Sequence, residues 1–233
     1  MTIRSLYILL FAACVLIPTL SAEQFPSTAV FSEPGFPAAD SPPPSLEKLR
    51  EALPGARFSN AQQLALALKD PATRLLVLPY GSAFPEQSWP EIFSFLQTGG
   101  NLLVIGGRPF TRSAYRDGSG WILRDYSVRF TRPLMIDQYQ TTPGSEGLEF
   151  QPNREQLSPL TNFPWARAFS PIIRLSAVDL YHRGGSAGSP DSRLDALAWG
   201  IKDGRKLAAP AIQIDHWRNG FSGGRWIFVN AEL

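Results

Sequence analysis

The sequence predicts an α/β protein with a doubly wound, mostly parallel sheet and antiparallel strands towards its C-terminus. Leu75–Leu78 and Leu102–Ile105 are continuous apolar runs, typical of strands buried on both faces of a parallel sheet. Between them, an apolar stripe that begins at Trp89 and ends at Gly99-Gly100 predicts a helix. A strand, a helix and a strand at this spacing indicate a right-handed βαβ crossover.

The C-terminal part of the chain has a different pattern. Apolar runs over 194–201, 207–216 and 225–230 predict three strands. Asp203-Gly204 and Asn219-Gly220 separate these runs, and both dipeptides favour tight hairpin turns. An antiparallel meander is therefore expected here.

Capping signals predict the other elements of the N-terminal half. Thr28–Phe31 is expected to form a first strand, and Ser45 is a suitable N-cap for the helix that follows. Asn60 and Gln63 have the spacing of a capping box for a second helix. Ser88 and Glu91 have the same spacing and predict a capping box for the third. Shorter alternating runs predict strands at Trp121–Leu123, Ser127–Phe130, Ile172–Leu175 and Ala177–Tyr181.

Residues 1–22 have the pattern of a cleaved secretory signal. Arg4 supplies the positive charge, Leu6–Leu16 the apolar run, and Ser21 and Ala22 the small residues of a cleavage site. The apolar run is shorter than the roughly 20 residues of a membrane-spanning helix, which favours cleavage over retention as an anchor. The mature protein is therefore expected in the periplasm or outside the cell, without a membrane association.

Cysteine content and charge exclude several functions. Cys14 is the only cysteine, and the apolar run continues past it to Ile17, which favours a signal-peptide filler over a lipoprotein acylation site. Cleavage would leave no disulfide, thiolate metal site or cysteine nucleophile. The mature chain keeps 21 basic and 20 acidic residues, scattered along the sequence. Nucleic acid is therefore not an expected partner, and no cofactor is predicted.

Three loops are the expected location of a binding site. In an open α/β sheet, ligands bind beyond the carboxyl ends of the strands. The loops at these ends are Glu33–Gly35, Pro79–Ser82 and Gly106–Arg108. Glycine admits close approach of the backbone to a ligand, and Arg108 is suited to a carboxylate, although tight turns and simple surface exposure explain the same residues. The candidate binding residues are Glu33, Tyr80, Gly81, Ser82, Gly106, Gly107, Arg108 and His216.

Four segments resemble class I glutamine amidotransferase-like domains: Leu75–Ser82, the helix from Trp89, Gly99–Gly107 and Gly223–Val229. They are more similar to the non-catalytic members, such as the trimerisation domain of bacterial β-galactosidases and trehalose-utilisation-type proteins. The similarity covers 75–110 well and 206–230 loosely. It implies a flavodoxin-like sheet to which the strand Arg225–Val229 returns.

The resemblance also implies a domain organisation. After the signal peptide at 1–22, a Pro-rich segment over 23–45 would contain the first strand. Residues 46–233 would then form one amidotransferase-like α/β domain. Its loop-rich insertion would lie around 118–193, where stretches are rich in Pro, Gly and Ser.

The sequence departs from the catalytic members at the nucleophile. Those members place a cysteine after the strand that corresponds to 102–105, whereas Gly106 and Gly107 stand here. Their catalytic His and Glu lie two residues apart, but His216 is followed by Trp217 and Arg218. The resemblance thus implies a non-catalytic accessory domain for assembly or ligand binding, and the signal pattern at 1–22 predicts that it is exported. Its expected partners are a second copy, further domains of a larger carbohydrate-active polypeptide, or a carbohydrate.

A second hypothesis is an exported hydrolase whose site lies at the carboxyl edge of the sheet. It requires His216 to face the cleft that Tyr80 and Arg108 line. Adjacent residues on a strand point to opposite faces, so Asp215 and His216 are unsuited as an acid/base pair, and a structural His216 is favoured. The residues of this hypothetical site are Glu33, Ser82, Arg108, Asp215 and His216.

The remaining polar and aromatic candidates give weaker signals. His182 has no His or carboxylate at ligand spacing, so no metal site is predicted. Trp89 and Trp226 fit core faces. Trp121, Trp165, Trp199 and Trp217 are candidates for a sugar-stacking platform, with core packing favoured for most. Nothing distinguishes Asp179, Asp195 and Asp215 as glycosidase carboxylates.

Overall fold

The computed structural model describes residues 27–40, 42–140, 149–153, 172–175, 178–179, 186–188, 192–218 and 220–229. The strands are β1 (Thr28–Phe31), β2 (Arg57–Ser59), β3 (Leu75–Leu78), β4 (Ala83–Pro85), β5 (Asn101–Ile105), β6 (Arg112–Asp117), β7 (Gly120–Leu123), β8 (Ile136–Gln140), β9 (Glu149–Pro152), β10 (Ile172–Leu175), β11 (Val178–Asp179), β12 (Ser186–Gly188), β13 (Ser192–Lys202), β14 (Arg205–His216) and β15 (Arg225–Val229). The helices are α1 (Leu46–Ala52), α2 (Ala61–Lys69) and α3 (Trp89–Gln97), with 3-10 turns at Glu86–Ser88 and Arg132–Leu134.

One large mixed sheet organises the chain, in the order β12-β13-β14-β15-β5-β3-β1-β2, with β9 also paired to β13. From β15 to β2 the neighbours run parallel, and from β12 to β15 they run antiparallel. Two small sheets, β4-β6-β7 and β8-β10-β11, complete the described strands. The predicted α/β class, the βαβ unit and the antiparallel C-terminal strands are confirmed.

Alternate residues of each central strand pack into two separate cores. Phe31 and Phe228 belong to the core that α2 and α3 cover. Val30 and Ile227 belong to the opposite core, which α1 covers through Leu49. This division follows from the period of two along a strand, and it makes the sheet doubly wound. Among the described residues, no helix is long and apolar enough to cross a bilayer.

The helix starts are partly as predicted. The Ser45 hydroxyl accepts a hydrogen bond from the Lys48 amide, and Asn60 and Gln63 form a reciprocal capping box. The capping box predicted at Ser88 is wrong. A 3-10 turn precedes α3, and the Ser88 hydroxyl instead donates to the Ala61 carbonyl of α2 at 2.9 Å.

The middle of the chain differs most from the sequence expectation. The strand predicted at Ser127–Phe130 is a turn, in which the Ser127 hydroxyl accepts the Arg129 amide at 3.1 Å. Such local side-chain bonds compete with strand formation. Strand β6 was not predicted, because it carries few apolar residues and two arginines. The signal peptide, His182 and Trp165 lie outside the described residues, as does most of Ala177–Tyr181.

Candidate functional site

Five predicted site residues meet at the carboxyl edge of the sheet. The Gly81 amide donates to the Ile105 carbonyl at 2.9 Å, which places the loop after β3 against the end of β5. The Arg108 amide donates to the Ser82 hydroxyl oxygen at 2.7 Å. These bonds bring Gly81 and Ser82 next to the segment that contains Gly106 and Gly107, as the switch-point argument predicted.

Asp40, from the Pro-rich segment before α1, occupies the centre of this edge. Its Oδ2 accepts from the Ser82 amide at 2.9 Å, and its Oδ1 lies 3.1 Å from the Ser82 hydroxyl oxygen. Since that oxygen already accepts from the Arg108 amide, its single hydrogen is left to donate to Asp40. Ser82 is 2% exposed, so both donors of this buried residue are committed to one carboxylate.

Two glycines make room for the Asp40 carboxylate. A Cβ atom at Gly107 would overlap Asp40 Oδ2 and the Ser82 amide nitrogen, and one at Gly81 would lie 2.7 Å from the same oxygen. Both have positive φ angles, +56° and +63°, which favour glycine. We call the group Gly81, Ser82, Gly107 and the Arg108 amide the carboxylate cradle.

The side chain of Arg108, whose amide belongs to the cradle, lies beside one exposed aromatic ring. The Arg108 guanidinium carbon lies 5.7 Å from the centroid of the Tyr126 ring, and Tyr126 is 47% exposed. Segment 108–132 contains six arginines and only two aspartates. Basic residues, expected to be scattered, are concentrated in this segment, and the density of arginine is visible in the sequence. Asp40 and Tyr126 were not predicted as site residues, since no motif marks either.

Glu33 and Tyr80 have contacts of their own within the chain. Glu33 Oε2 accepts from the Ala61 amide at the start of α2 at 3.0 Å, and Oε1 pairs with Arg116 at 2.6 Å. The Tyr80 hydroxyl lies 3.2 Å from the Glu33 amide and 3.3 Å from its carbonyl. Both residues are 8% exposed. Their polar atoms therefore hold the loop after β1 to α2 and β3.

His216 lies at the opposite end of the sheet from the cradle. Its amide donates to the Gly224 carbonyl at 3.0 Å, one residue beyond the pairing of Asp215 with Arg225. Strand β15 pairs with β5 so that Trp226 is level with Leu102 and Val229 with Ile105. His216 is therefore level with the start of β5, about six residues or ~20 Å along the strand from Gly106. The prediction that His216 joins the carboxyl-edge site, and the hydrolase hypothesis that needs it, are wrong.

The surroundings of His216 are aromatic. Its ring centroid lies 4.0 Å from that of Trp226 and 4.9 Å from that of Phe221, and the residue is 4% exposed. Burial lowers the pKa of His216 from 6.5 to about 4, against a smaller opposing effect of the Asp215 charge. The imidazole is thus neutral near pH 7 and packs as part of the core.

The other candidate side chains have structural contacts. Asp215 Oδ1 pairs with Arg225 Nε at 2.7 Å, and Asp195 Oδ2 pairs with Arg193 Nε at 2.8 Å. Trp199 is buried and donates to Asn153, whereas Trp217 is 47% exposed. The described segments contain no group of three or more His, Cys, Asp or Glu suited to a metal ion.

Comparison with known proteins identifies no family. No protein-family model and no curated protein matches the sequence. Similar solved structures include Gan42B, a GH42 β-galactosidase from G. stearothermophilus (TM-score 0.47, 10% identity, 88% of this chain and 27% of that chain). Others are β-galactosidases from Bacillus circulans sp. alkalophilus (0.41, 10%, 88% and 28%) and Rahnella sp. R3 (0.40, 13%, 94% and 30%). The chain spans less than a third of the length of these proteins, and likenesses of this size do not indicate a shared ligand.

Proposed function

We propose that this chain is an exported, non-catalytic accessory domain that binds a carbohydrate at the carboxyl edge of its sheet, as part of a larger carbohydrate-active protein. The observation that carries the proposal is the pair formed by Tyr126 and the side chain of Arg108, whose amide belongs to the cradle. An exposed aromatic face with a guanidinium next to it offers both an apolar platform and charged donors. Sites for small polar ligands combine these two kinds of group.

An accessory role, without chemistry, is supported by how Ser82 is used. Its hydroxyl bonds to Asp40 and the Arg108 amide. The chain's remote His216 cannot act as its base across about 20 Å. The resemblance of 75–110 to non-catalytic amidotransferase-like domains agrees with this role.

Binding is tested with a panel of neutral and uronic-acid oligosaccharides, titrated by calorimetry into the full chain. The minority of interface residues whose truncation costs more than about 1 kcal/mol is enriched in Trp, Tyr and Arg. We therefore expect Tyr126→Ala and Arg108→Ala each to weaken binding by about tenfold.

Trp217→Ala is the matched control. Trp217 is as exposed as Tyr126 but follows His216, at the far edge of the sheet. Unchanged affinity is expected for this variant. If Trp217→Ala abolished binding and Tyr126→Ala left it intact, the ligand site would lie at the other edge, and the proposed site would be wrong.

Export is proposed from residues 1–22 alone. Expression of the full chain in a secretion-competent bacterium should yield a mature protein that begins at Glu23, as read by N-terminal sequencing. An intact Met1 N-terminus in the exported fraction would contradict cleavage.

A further inference from the structure

We infer that the cradle is a binding site for the carboxylate of a ligand, an acidic sugar in the setting proposed above, and that Asp40 is its intramolecular substitute. The inference rests on the proposed carbohydrate-binding role of the same edge and specifies the ligand class. Asp40 reaches the cradle from another part of the chain, 42 residues before Ser82. The group that the cradle binds is thus a carboxylate, and in this structure Asp40 of the same chain supplies it.

The cradle has the composition of a carboxylate site. It presents a backbone amide and a hydroxyl to the two oxygens of one carboxylate, at 2.9 and 3.1 Å. Charge-assisted bonds of this kind are stronger than neutral ones. Glycines at 81 and 107 leave space where any Cβ would collide with the bound oxygen.

The Arg108 guanidinium, which forms no ion pair with Asp40, has capacity for an acidic group of a ligand. Among the described residues Arg116 and Arg124 pair with Glu33 and Glu86, while the guanidinium of Arg108 rests over Tyr126. Arginine presents several donors in one plane and binds carboxylates in a bidentate manner. A ligand that extends from the cradle to Tyr126 would therefore meet a cation and an aromatic face there.

The segment that carries Asp40 has few backbone restraints, although Ala39 packs against the main core. Four of the residues between 37 and 44 are prolines, which have no amide to donate. Within its described part, residues 37–40 and 42–44, no backbone–backbone hydrogen bond is formed. Asp40 as a residue is exposed, so solvent reaches the position from which its side chain enters. Among the described residues, the two hydrogen bonds from Ser82 to Asp40 connect this segment to the edge of the sheet.

A tethered carboxylate competes with a free one. A group tethered within the same chain acts at an effective concentration that the length and stiffness of the tether determine. Affinity for a ligand carboxylate is reduced by the fraction of molecules in which Asp40 occupies the cradle. Removal of the Asp40 carboxylate should therefore expose the site and increase apparent affinity.

The first experiment uses acetate as the probe and thermal melting as the measurement. Asp40→Ala should melt at a lower temperature than the wild type, and acetate should raise its melting temperature by several degrees in a saturable manner. Sodium chloride at the same ionic strength should not raise the melting temperature of this variant in a saturable manner. The wild type, in which acetate must displace Asp40, should respond only at higher acetate concentrations than Asp40→Ala does. Asp40→Ala/Ser82→Ala, which lacks the hydroxyl donor, should show no saturable response.

The second experiment compares D-galacturonate with D-galactose, which differ in the carboxylate. Asp40→Ala should bind galacturonate at least about tenfold more tightly than the wild type does, with no such gain for galactose. A third measurement uses the wild-type chain and so does not depend on whether Asp40→Ala folds. Galacturonate should shift the carboxylate 13C resonance of Asp40, and galactose should not.

The inference is overturned if acetate and chloride affect Asp40→Ala equally, or if the double variant responds as Asp40→Ala does. Equal gains for galacturonate and galactose, or an unmoved Asp40 resonance at saturating galacturonate, would also overturn it. These outcomes are separate from the fate of the proposed function. Neutral oligosaccharides that bind at Tyr126 without a carboxylate effect would keep that function and remove this inference.

Discussion

Gly107 shows how one residue can fix the geometry of a loop. Its φ of +56° already favours glycine, and a side chain would also overlap Asp40 Oδ2 and the Ser82 amide. Gly118 has nearly the same φ, +58°, but nothing lies within 4 Å of the position of its Cβ. A comparison of substitutions at the two positions therefore separates the cost of backbone strain from the cost of steric overlap.

Gly107→Leu should lower the free energy of unfolding by about 1–3 kcal/mol more than Gly118→Leu does. Both variants carry the cost of a left-handed backbone, and only the first displaces the Asp40 carboxylate. Urea denaturation of the two variants and the wild type measures the difference. Equal losses would mean that Asp40 does not occupy the space beside Gly107.

At the scale of elements, a carboxylate joins the loop after β1 to the start of α2. Glu33 accepts the Ala61 amide, one of the first-turn amides that a helix leaves without a partner. Its other oxygen pairs with Arg116 of β6, which ties the small sheet β4-β6-β7 to the same point. One buried side chain thus connects three elements.

Glu33→Ala should destabilise the chain by about 1–3 kcal/mol, because it leaves the Ala61 amide buried without an acceptor. Arg116→Ala removes the ion pair but keeps the helix cap. Since Arg116 is half exposed, we expect a loss below about 1 kcal/mol. Chemical denaturation compares the two variants, and a larger effect of Arg116→Ala would contradict the capping role of Glu33.

At the scale of the whole molecule, the buried His216 makes folding sensitive to acid. Its pKa is lowered to about 4 in the folded chain, whereas 6.5 is the ordinary value. The unfolded chain therefore binds more protons between these values, and stability increases with pH across this window. The contribution is fully present above pH 6.5 and is lost as pH falls towards 4. It amounts to about 3 kcal/mol at most.

His216→Phe is the variant that tests this sensitivity. It keeps an aromatic ring beside Phe221 and Trp226 but cannot be protonated. Unfolding free energies measured at pH 7.5, 6 and 5 should decline in the wild type and decline less in the variant. Parallel declines would assign the acid sensitivity to groups other than His216.

Local sequence determined the central part of the fold. Continuous apolar runs fixed β3 and β5, because a strand covered on both faces has no polar positions. Side-chain caps at Ser45 and Asn60 fixed two helix starts, since each acts within one turn. The carboxyl-edge loops followed from the positions of those strands, so Gly81, Ser82 and Arg108 were predictable as neighbours.

Only the tertiary structure decided which distant groups meet. The position of His216 depended on the register of β14 and β15 against β5, which no local pattern encodes. The entry of Asp40 into the cradle depended on the path of a proline-rich segment with no periodicity. Ser88 bonded to another helix instead of its own, because a buried hydroxyl takes whichever acceptor packing brings within reach. Backbone propensity acts over a few residues, whereas contacts between remote segments form only when the whole sheet closes.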